Sequence, residues 1–281
     1  MKKIFVIVGP TASGKSGFAI QLAQKINGQI VNADSMQIYQ DLSIVSARPQ
    51  AEDLQKVPHH LYGYLDAWTQ GTVQDWLERV VPVLKNLDNP VLVGGTGLYA
   101  SSLINGINDI PDIDPAIRER VRQMDIQDVE SELKDCPWTD PQRMRRSLEV
   151  QLSTGHPLSY YQRQPKRKFI DADFKVIFIN PPRTLLYKNC EKRFYQMIEQ
   201  GGIEEVEHLV SLKPTGGVLK AIGVPEIVSY LQGNISKQEM CQQAILSTRH
   251  YAKRQITWFR HQLIADAIIP NPKDFNFSSL L

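Results

Sequence analysis

Scarcity narrows what this chain can be. Only three cysteines, Cys136, Cys190 and Cys241, occur in 281 residues. None shares a C-x-x-C spacing with another, which argues against a metal cluster and for a reducing compartment. No apolar run approaches the ~18 residues that a membrane helix needs. Only Met1-Lys2-Lys3 precedes the first apolar stretch, so neither a membrane span nor a secretory leader is expected, and the cytoplasm is the expected location. Internal repeats and low-complexity segments are missing. Net charge is only +2, so any polyanion partner must be held by local patches. The remaining composition is that of an ordinary globular protein, 42% apolar and 22% charged. Its length suits one large domain, or a domain carrying a smaller insertion.

One stretch organises the rest. The apolar run Ile4-Phe5-Val6-Ile7-Val8 leads into Gly9-Pro10-Thr11-Ala12-Ser13-Gly14-Lys15-Ser16, and Phe18 to Ala23 follows with helical character. Strand, G-x-x-x-x-G-K-[ST] loop and helix together are the context of a phosphate-binding P-loop. The glycines let backbone N–H groups close around phosphate oxygens, and the helix N-terminus adds its partial positive charge. Lys15 supplies a point charge for the terminal phosphate, and Ser16 an oxygen ligand for Mg²⁺. These expectations cover Gly9, Pro10, Thr11, Ala12, Ser13, Gly14, Lys15 and Ser16.

Asn27-Gly28 should end that helix, and Gln29 to Ala33 reads as a second strand. Asp34 stands at its carboxyl end, where open parallel sheets bind ligands. A helix N-cap is the competing role for Asp34 or Ser35. Pro58 to Leu65 reads as a further strand with its approach. The pair His59-His60 lacks a third ligand at a useful spacing, so no metal site is expected there. Val73, Trp76, Leu77, Val80, Val81, Leu84 and Leu87 recur at helical spacing, and Pro82 should kink or split that helix. Pro90 to Val93 is the next buried strand. It closes on Gly94-Gly95-Thr96 without the carboxylate that nucleotide-hydrolysing P-loop proteins place there to help hold Mg²⁺. The crevice is thus suited to receiving an anion, not to activating water.

From Ile110 the character changes. Asp114-Pro115 and Asp140-Pro141 each pair an N-cap with Pro at the first helical position. Arg118, Arg120 and Arg122 follow the first, and Arg143, Arg145, Arg146 and Glu149 the second. The basic run continues to Lys168, and Phe174 to Ile179 returns to a core strand. Residues 1–112 and 173–281 are accordingly expected to form the core, and 113–172 a helical insertion. Ser236 to Glu239 is a capping box that opens a long helix through Arg260. Arg249, Lys253 and Arg260 share one stripe of it, beside His250, Arg254 and His261. A nucleic-acid grip and a solvated helix face both fit that stripe.

Taken in order, these segments resemble the tRNA dimethylallyltransferase (tRNA isopentenyltransferase) family. The likeness rests on Gly9 to Ser16, Asp34 to Tyr39, His59-His60-Leu61, Gly94 to Tyr99, Arg143 with Arg146, and Leu148-Glu149-Val150. Gly202 to Val206, Ala221-Ile222-Gly223, Thr248-Arg249, Tyr251 to Gln255 and Thr257 to Arg260 complete it. The family pattern Gly-Thr-Ala-Lys-Pro is here Val45-Ser46-Ala47-Arg48-Pro49, and Gly-Tyr-Lys-Glu is Gly223-Val224-Pro225-Glu226.

The resemblance implies an α/β fold, a P-loop-type parallel sheet flanked by helices, with the helical insertion touching tRNA. It implies transfer of the dimethylallyl group from dimethylallyl diphosphate to the exocyclic amine of the tRNA adenosine 3′ of the anticodon. Asp34 would be the base, with Thr96 and Arg118 assisting loss of diphosphate and Mg²⁺ held near Ser16. Carried over as tRNA contacts are Asp34, Ser35, Met36, Gln37, Arg143, Arg145, Arg146, Glu149, Thr248, Arg249, Lys253 and Arg254. A monomer is expected, since nothing argues for an obligate dimer. The strand–P-loop–helix opening also fits a nucleoside or small-molecule kinase. ATP consumption would mark that alternative.

Overall fold

In the computed structural model, which describes residues 1–134 and 136–279, the chain divides into two compact units. Residues 1–104 and 170–281 form the first, and residues 105–169 the second. The elements run β1 (Lys2–Val8), α1 (Lys15–Ile26), β2 (Gln29–Asn32), α2 (Ala51–Lys56), β3 (His59–His60), α3 (Val73–Asn86), β4 (Pro90–Gly94) and α4 (Gly97–Asn105). Then come α5 (Pro115–Gln123), α6 (Ile126–Glu132), α7 (Pro141–Thr154) and α8 (Leu158–Gln162). The chain ends with β5 (Ala172–Ile179), α9 (Arg183–Glu199), α10 (Gly202–Ser211), α11 (Val224–Leu231), α12 (Lys237–Gln262) and β6 (Ala267–Ile269).

The first unit holds the parallel six-stranded sheet that the sequence predicts, in the order β3-β2-β4-β1-β5-β6. Continuous apolar runs make β1 and β4 its centre, because a strand covered by helices on both faces has no solvated side to alternate toward. From β1 the chain crosses to β2 on one flank, and β5 lies on the other. The P-loop therefore emerges at the reversal of strand order, where such sheets bind ligands. Phe18, Leu22 and Ala23 of α1 pack on one face with Phe277. Helices α9 to α12 build a second core with Tyr39, Leu42 and Val45.

Two local expectations need correction, and one competing reading falls away. Helix α3 is not split at Pro82. Trp76, Leu77, Val80, Val81 and Leu84 anchor its buried face, while Pro82 and Glu78, whose carbonyl loses its partner, both face solvent. The segment 58–65 contributes only two strand residues, because Leu61 (φ 62°) and Gly63 (φ 56°) turn the chain away from β2. Asp34 and Ser35 cap no helix, since a turn follows them.

The second unit is helical. Ile107 and Arg167 pair through N–H···O bonds of 3.1 and 2.8 Å that close its base. That pairing starts the unit before residue 113 and ends it before 172, by which point the chain has entered β5. Asp114 accepts from the Ala116 N–H and Asp140 from the Arg143 N–H, so both Asp-Pro signals cap helices. Val121, Val129, Met144 and Leu148 form its main core. Leu281, the far limit of the expected second core segment, lies outside the described residues.

Candidate active site

The site lies in the first unit and is built on backbone constraints. At Gly9 a Cβ would stand 2.6 Å from the Ile179 carbonyl, so only glycine lets the P-loop leave β1 beside β5. Gly14 takes φ 87° directly before α1, leaving the first N–H groups of the helix without a side-chain cap. Gln255 of α12, 6% exposed, holds the loop from the side: its Oε1 accepts from the Thr11 N–H at 2.8 Å. Its Nε2 donates to the Gly95 carbonyl, also at 2.8 Å. Gln255→Leu leaves both backbone groups unpaired in a buried place, each costing about 1–3 kcal/mol. Thermal unfolding should show a drop in melting temperature of several degrees, and an unchanged melting point would remove Gln255 from this role.

Asp34 is positioned as firmly. Asn32 is fully buried; its Oδ1 accepts from the Asp34 N–H at 2.9 Å, and its Nδ2 donates to the Asp34 and Leu61 carbonyls. Trp76 Nε1 donates to the Asn32 carbonyl in turn. One carboxylate oxygen of Asp34, Oδ1, accepts from the Met36 N–H at 3.0 Å. Thr96 Oγ1 accepts from the Ser35 N–H at 2.9 Å and lies 3.1 Å from Ser35 Oγ, tying the end of β4 to the same turn.

The missing strand-end carboxylate now has a steric reason. At Gly94 a Cβ would stand 2.0 Å from the Ala33 carbonyl oxygen. At Gly95 it would meet Gln255 Nε2 at 2.5 Å, Asp34 Oδ2 at 3.1 Å and Lys15 Nζ at 3.6 Å. Neither position has room for an acid. Asp34, from the neighbouring strand, brings its second oxygen to that place instead.

A cavity of about 270 Å³ opens here, lined by Thr11, Lys15, Ser16, Asp34 to Gln37, Thr248, Tyr251 and Arg254. Arg193 and Cys190 of α9 also line it, with Lys220 and the segment Val45-Ser46-Ala47. That segment is held by the Glu205 carboxylate, which accepts from the N–H groups of Ser43, Ile44 and Val45. Gln37 is bound to the same wall, its Nε2 donating to the Ser46 and Ala47 carbonyls.

Electrostatically the cavity is cationic around one acid. Burial holds the Lys15 amine down to about 8; Asp34 pulls it up and Arg193 pushes it down. Its Nζ donates to the Pro10 carbonyl at 3.3 Å. Burial also lowers Arg193, against the pull of Asp34. The Arg193 guanidinium makes no hydrogen bond or ion pair with any described residue. An unpaired guanidinium beside a P-loop lysine is suited to an anion arriving from outside. Sequence reading misses Arg193; it sits in a helix of mixed charge where nothing in the spacing marks it.

Of the other predicted residues, Thr248 Oγ1 donates to the Ala244 carbonyl, and Arg249 pairs with Glu191 at 2.8 Å. Lys253 is exposed on α12, and Arg254 lies over the Tyr251 ring at 5.8 Å. Arg118, Arg143, Arg145, Arg146 and Glu149 belong to the second unit. Arg118 and Arg143 are exposed there, and Arg146 pairs with Glu149 at 3.2 Å. Arg145 caps α5 by donating to the Val121 carbonyl. Among the described residues no group of three His, Cys, Asp or Glu side chains could hold a metal.

Comparison with known proteins now decides the family. The family model described as IPP transferase matches residues 37–262. The chain belongs to the IPP transferase family. A tRNA dimethylallyltransferase of Zymomonas mobilis is 44% identical over 92% of this chain and 88% of its own length. One from Hyphomonas neptunium is 40% identical over 97% and 92%. The crystal structure of a Bacillus halodurans tRNA isopentenylpyrophosphate transferase superposes with a TM-score of 0.73 at 29% identity, covering 100% of this chain and 93% of that one. A eukaryotic dimethylallyltransferase acting on tRNA shares the fold, with a TM-score of 0.77 at 23% identity over 95% of this chain and 74% of that one. Membership sets the kinase alternative aside. No described helix is long and apolar enough to cross a membrane.

Proposed function

We propose that this chain transfers the dimethylallyl group from dimethylallyl diphosphate to the N6 amine of the tRNA adenosine 3′-adjacent to the anticodon, releasing diphosphate. The observation that carries this reading is the cavity itself, in which Lys15, Arg193 and the P-loop surround a single acid, Asp34. The cations receive the diphosphate and stabilise the negative charge that grows on it as the allylic C–O bond breaks. The adenine N6 lone pair forms the new C–N bond, and the proton it then sheds goes to Asp34. Asp34 Oδ1 is occupied by the Met36 N–H, leaving Oδ2 to accept that proton. The base must leave its stack to enter the cavity. Thr96 acts through Ser35, holding the Asp34 turn, and Arg118 assists the loss of diphosphate.

Mg²⁺ fits this donor set, because that ion takes few protein oxygens and lets phosphate and water supply the rest: the Ser16 hydroxyl, which lines the cavity, would hold it. Bound there, it would add positive charge against the leaving group. The helical insertion and α12 would hold the tRNA, through Asp34 to Gln37, Arg143 to Glu149, Thr248, Arg249, Lys253 and Arg254. The protein works as a cytoplasmic monomer in this reading. Because such contacts are to phosphates, tRNA affinity should fall steeply as salt rises from about 50 to 200 mM. A flat salt dependence in a filter-binding titration would contradict the proposed grip.

The deciding experiment mixes the protein with Mg²⁺, labelled dimethylallyl diphosphate and unmodified tRNA reading codons that begin with U. Label should enter the tRNA, and should vanish with Lys15→Ala and with Asp34→Ala. Phosphate transfer from ATP without any prenyl transfer would overturn the reading.

A further inference from the structure

Three open cavities line up along α12. Arg254 borders both the catalytic cavity and a groove formed by His250, Lys253, Thr257, Trp258 and His261. Lys253 and Thr257 border that groove and also a third cavity of about 390 Å³, reached beside α9 at the carboxyl end of β5. The third cavity is walled by Arg183, Tyr187, Lys253 and Arg260, and no carboxylate lines it. Arg183, Lys253 and Arg260 form no ion pair among the described residues.

Its cations are held in readiness. Arg183 Nε donates to Tyr187 Oη at 2.8 Å, and the guanidinium lies 4.9 Å from the ring centre. Arg249 lies 5.5 Å from the centre of the same ring. One tyrosine ring thus contacts two guanidinium groups; Arg249 is neutralised by Glu191, and Arg183 is left without a carboxylate partner among the described residues. The terminal nitrogens of Arg183 remain free, and they are the ones that fork onto a phosphate.

We infer that this α9–α12 groove carries the sugar–phosphate backbone of the RNA substrate, at a distance from the reacting adenosine. The inference rests on the proposed function. A flexible polyanion with one base in the catalytic cavity needs continuous cationic ground beyond it, and the shared residues Arg254 and Lys253 provide that ground. Arg183, Tyr187 and Arg260 are therefore RNA-positioning residues outside the reaction centre. A free nucleotide or diphosphate is the other phosphate source that the groove could meet.

Arg183→Ala and Arg260→Ala test this, with tRNA binding and transfer kinetics measured on each. The KM for tRNA should rise about three- to tenfold in each, and the log–log salt slope should become shallower by roughly 0.7–0.9 for each phosphate no longer neutralised. Turnover at saturating tRNA and the KM for dimethylallyl diphosphate should stay at wild-type values. Tyr187→Phe keeps the ring but removes the oxygen that holds Arg183, so its effect should be smaller than that of Arg183→Ala. Wild-type tRNA affinity and salt slope in Arg183→Ala would overturn the inference. So would ATP or diphosphate binding that Arg183→Ala abolishes while tRNA binding persists. Failure of the wild-type protein to transfer the prenyl group would instead count against the proposed function, because the binding titration reads the groove without turnover.

Discussion

Asp34→Asn should lower the rate of prenyl transfer by about two to four orders of magnitude, the range that loss of a positioned general base produces. Its affinity for tRNA should change by less than about threefold. The asymmetry follows from the geometry. Asparagine keeps an oxygen for the Met36 N–H, and the backbone of residue 34 stays bound to Asn32, so the turn keeps its shape. What disappears is the capacity to take the N6 proton. Single-turnover transfer with saturating enzyme, beside an equilibrium binding titration, separates the two quantities. Near-normal transfer with weakened binding would make Asp34 a binding group and leave the base unidentified.

The centre of this site is legible in the sequence and its rim obscure, for physical reasons. The P-loop is local: a strand, two glycines, a lysine and a helix within one continuous stretch, each required by its own backbone geometry. The Asp-Pro caps and the Ser236 capping box are equally local, and each opens the helix its residues predict. The split that Pro82 suggests does not occur, because propensity ignores how much apolar surface holds the other face of α3. The approach around Leu61 misleads because a left-handed leucine carries no compositional signal. Arg193 and Gln255 escape notice because their roles depend on partners far away in sequence, in the loops after β1, β2 and β4. Gly95 is a middle case. The sequence shows only that an acid is missing there, and the structure supplies the cause, since Gln255 and Asp34 occupy the space that a side chain would need.

Those distant partners set the second large effect. Arg193→Met should weaken dimethylallyl diphosphate by about 10- to 100-fold, the loss of a charge-assisted hydrogen bond of roughly 1.5–3 kcal/mol. It should also move a pH profile in a direction that structural damage would not. The Lys15 amine, held at about 8 by burial with Arg193 pushing in the same direction, is charged below that pH and neutral above it. In the wild-type protein the KM for the donor should therefore be level below about pH 8 and climb above it, approaching tenfold per unit as the neutral amine takes over. Removing Arg193 removes a repulsive neighbour, so Lys15 holds its proton longer and the rise begins at higher pH. Donor KM measured from about pH 6.5 to 9.5 on both proteins tests the pair together. A variant weakened at every pH with its inflection unmoved would mean that Arg193 acts on the donor without sensing Lys15. An inflection shifted downward would contradict the electrostatic arrangement of the cavity.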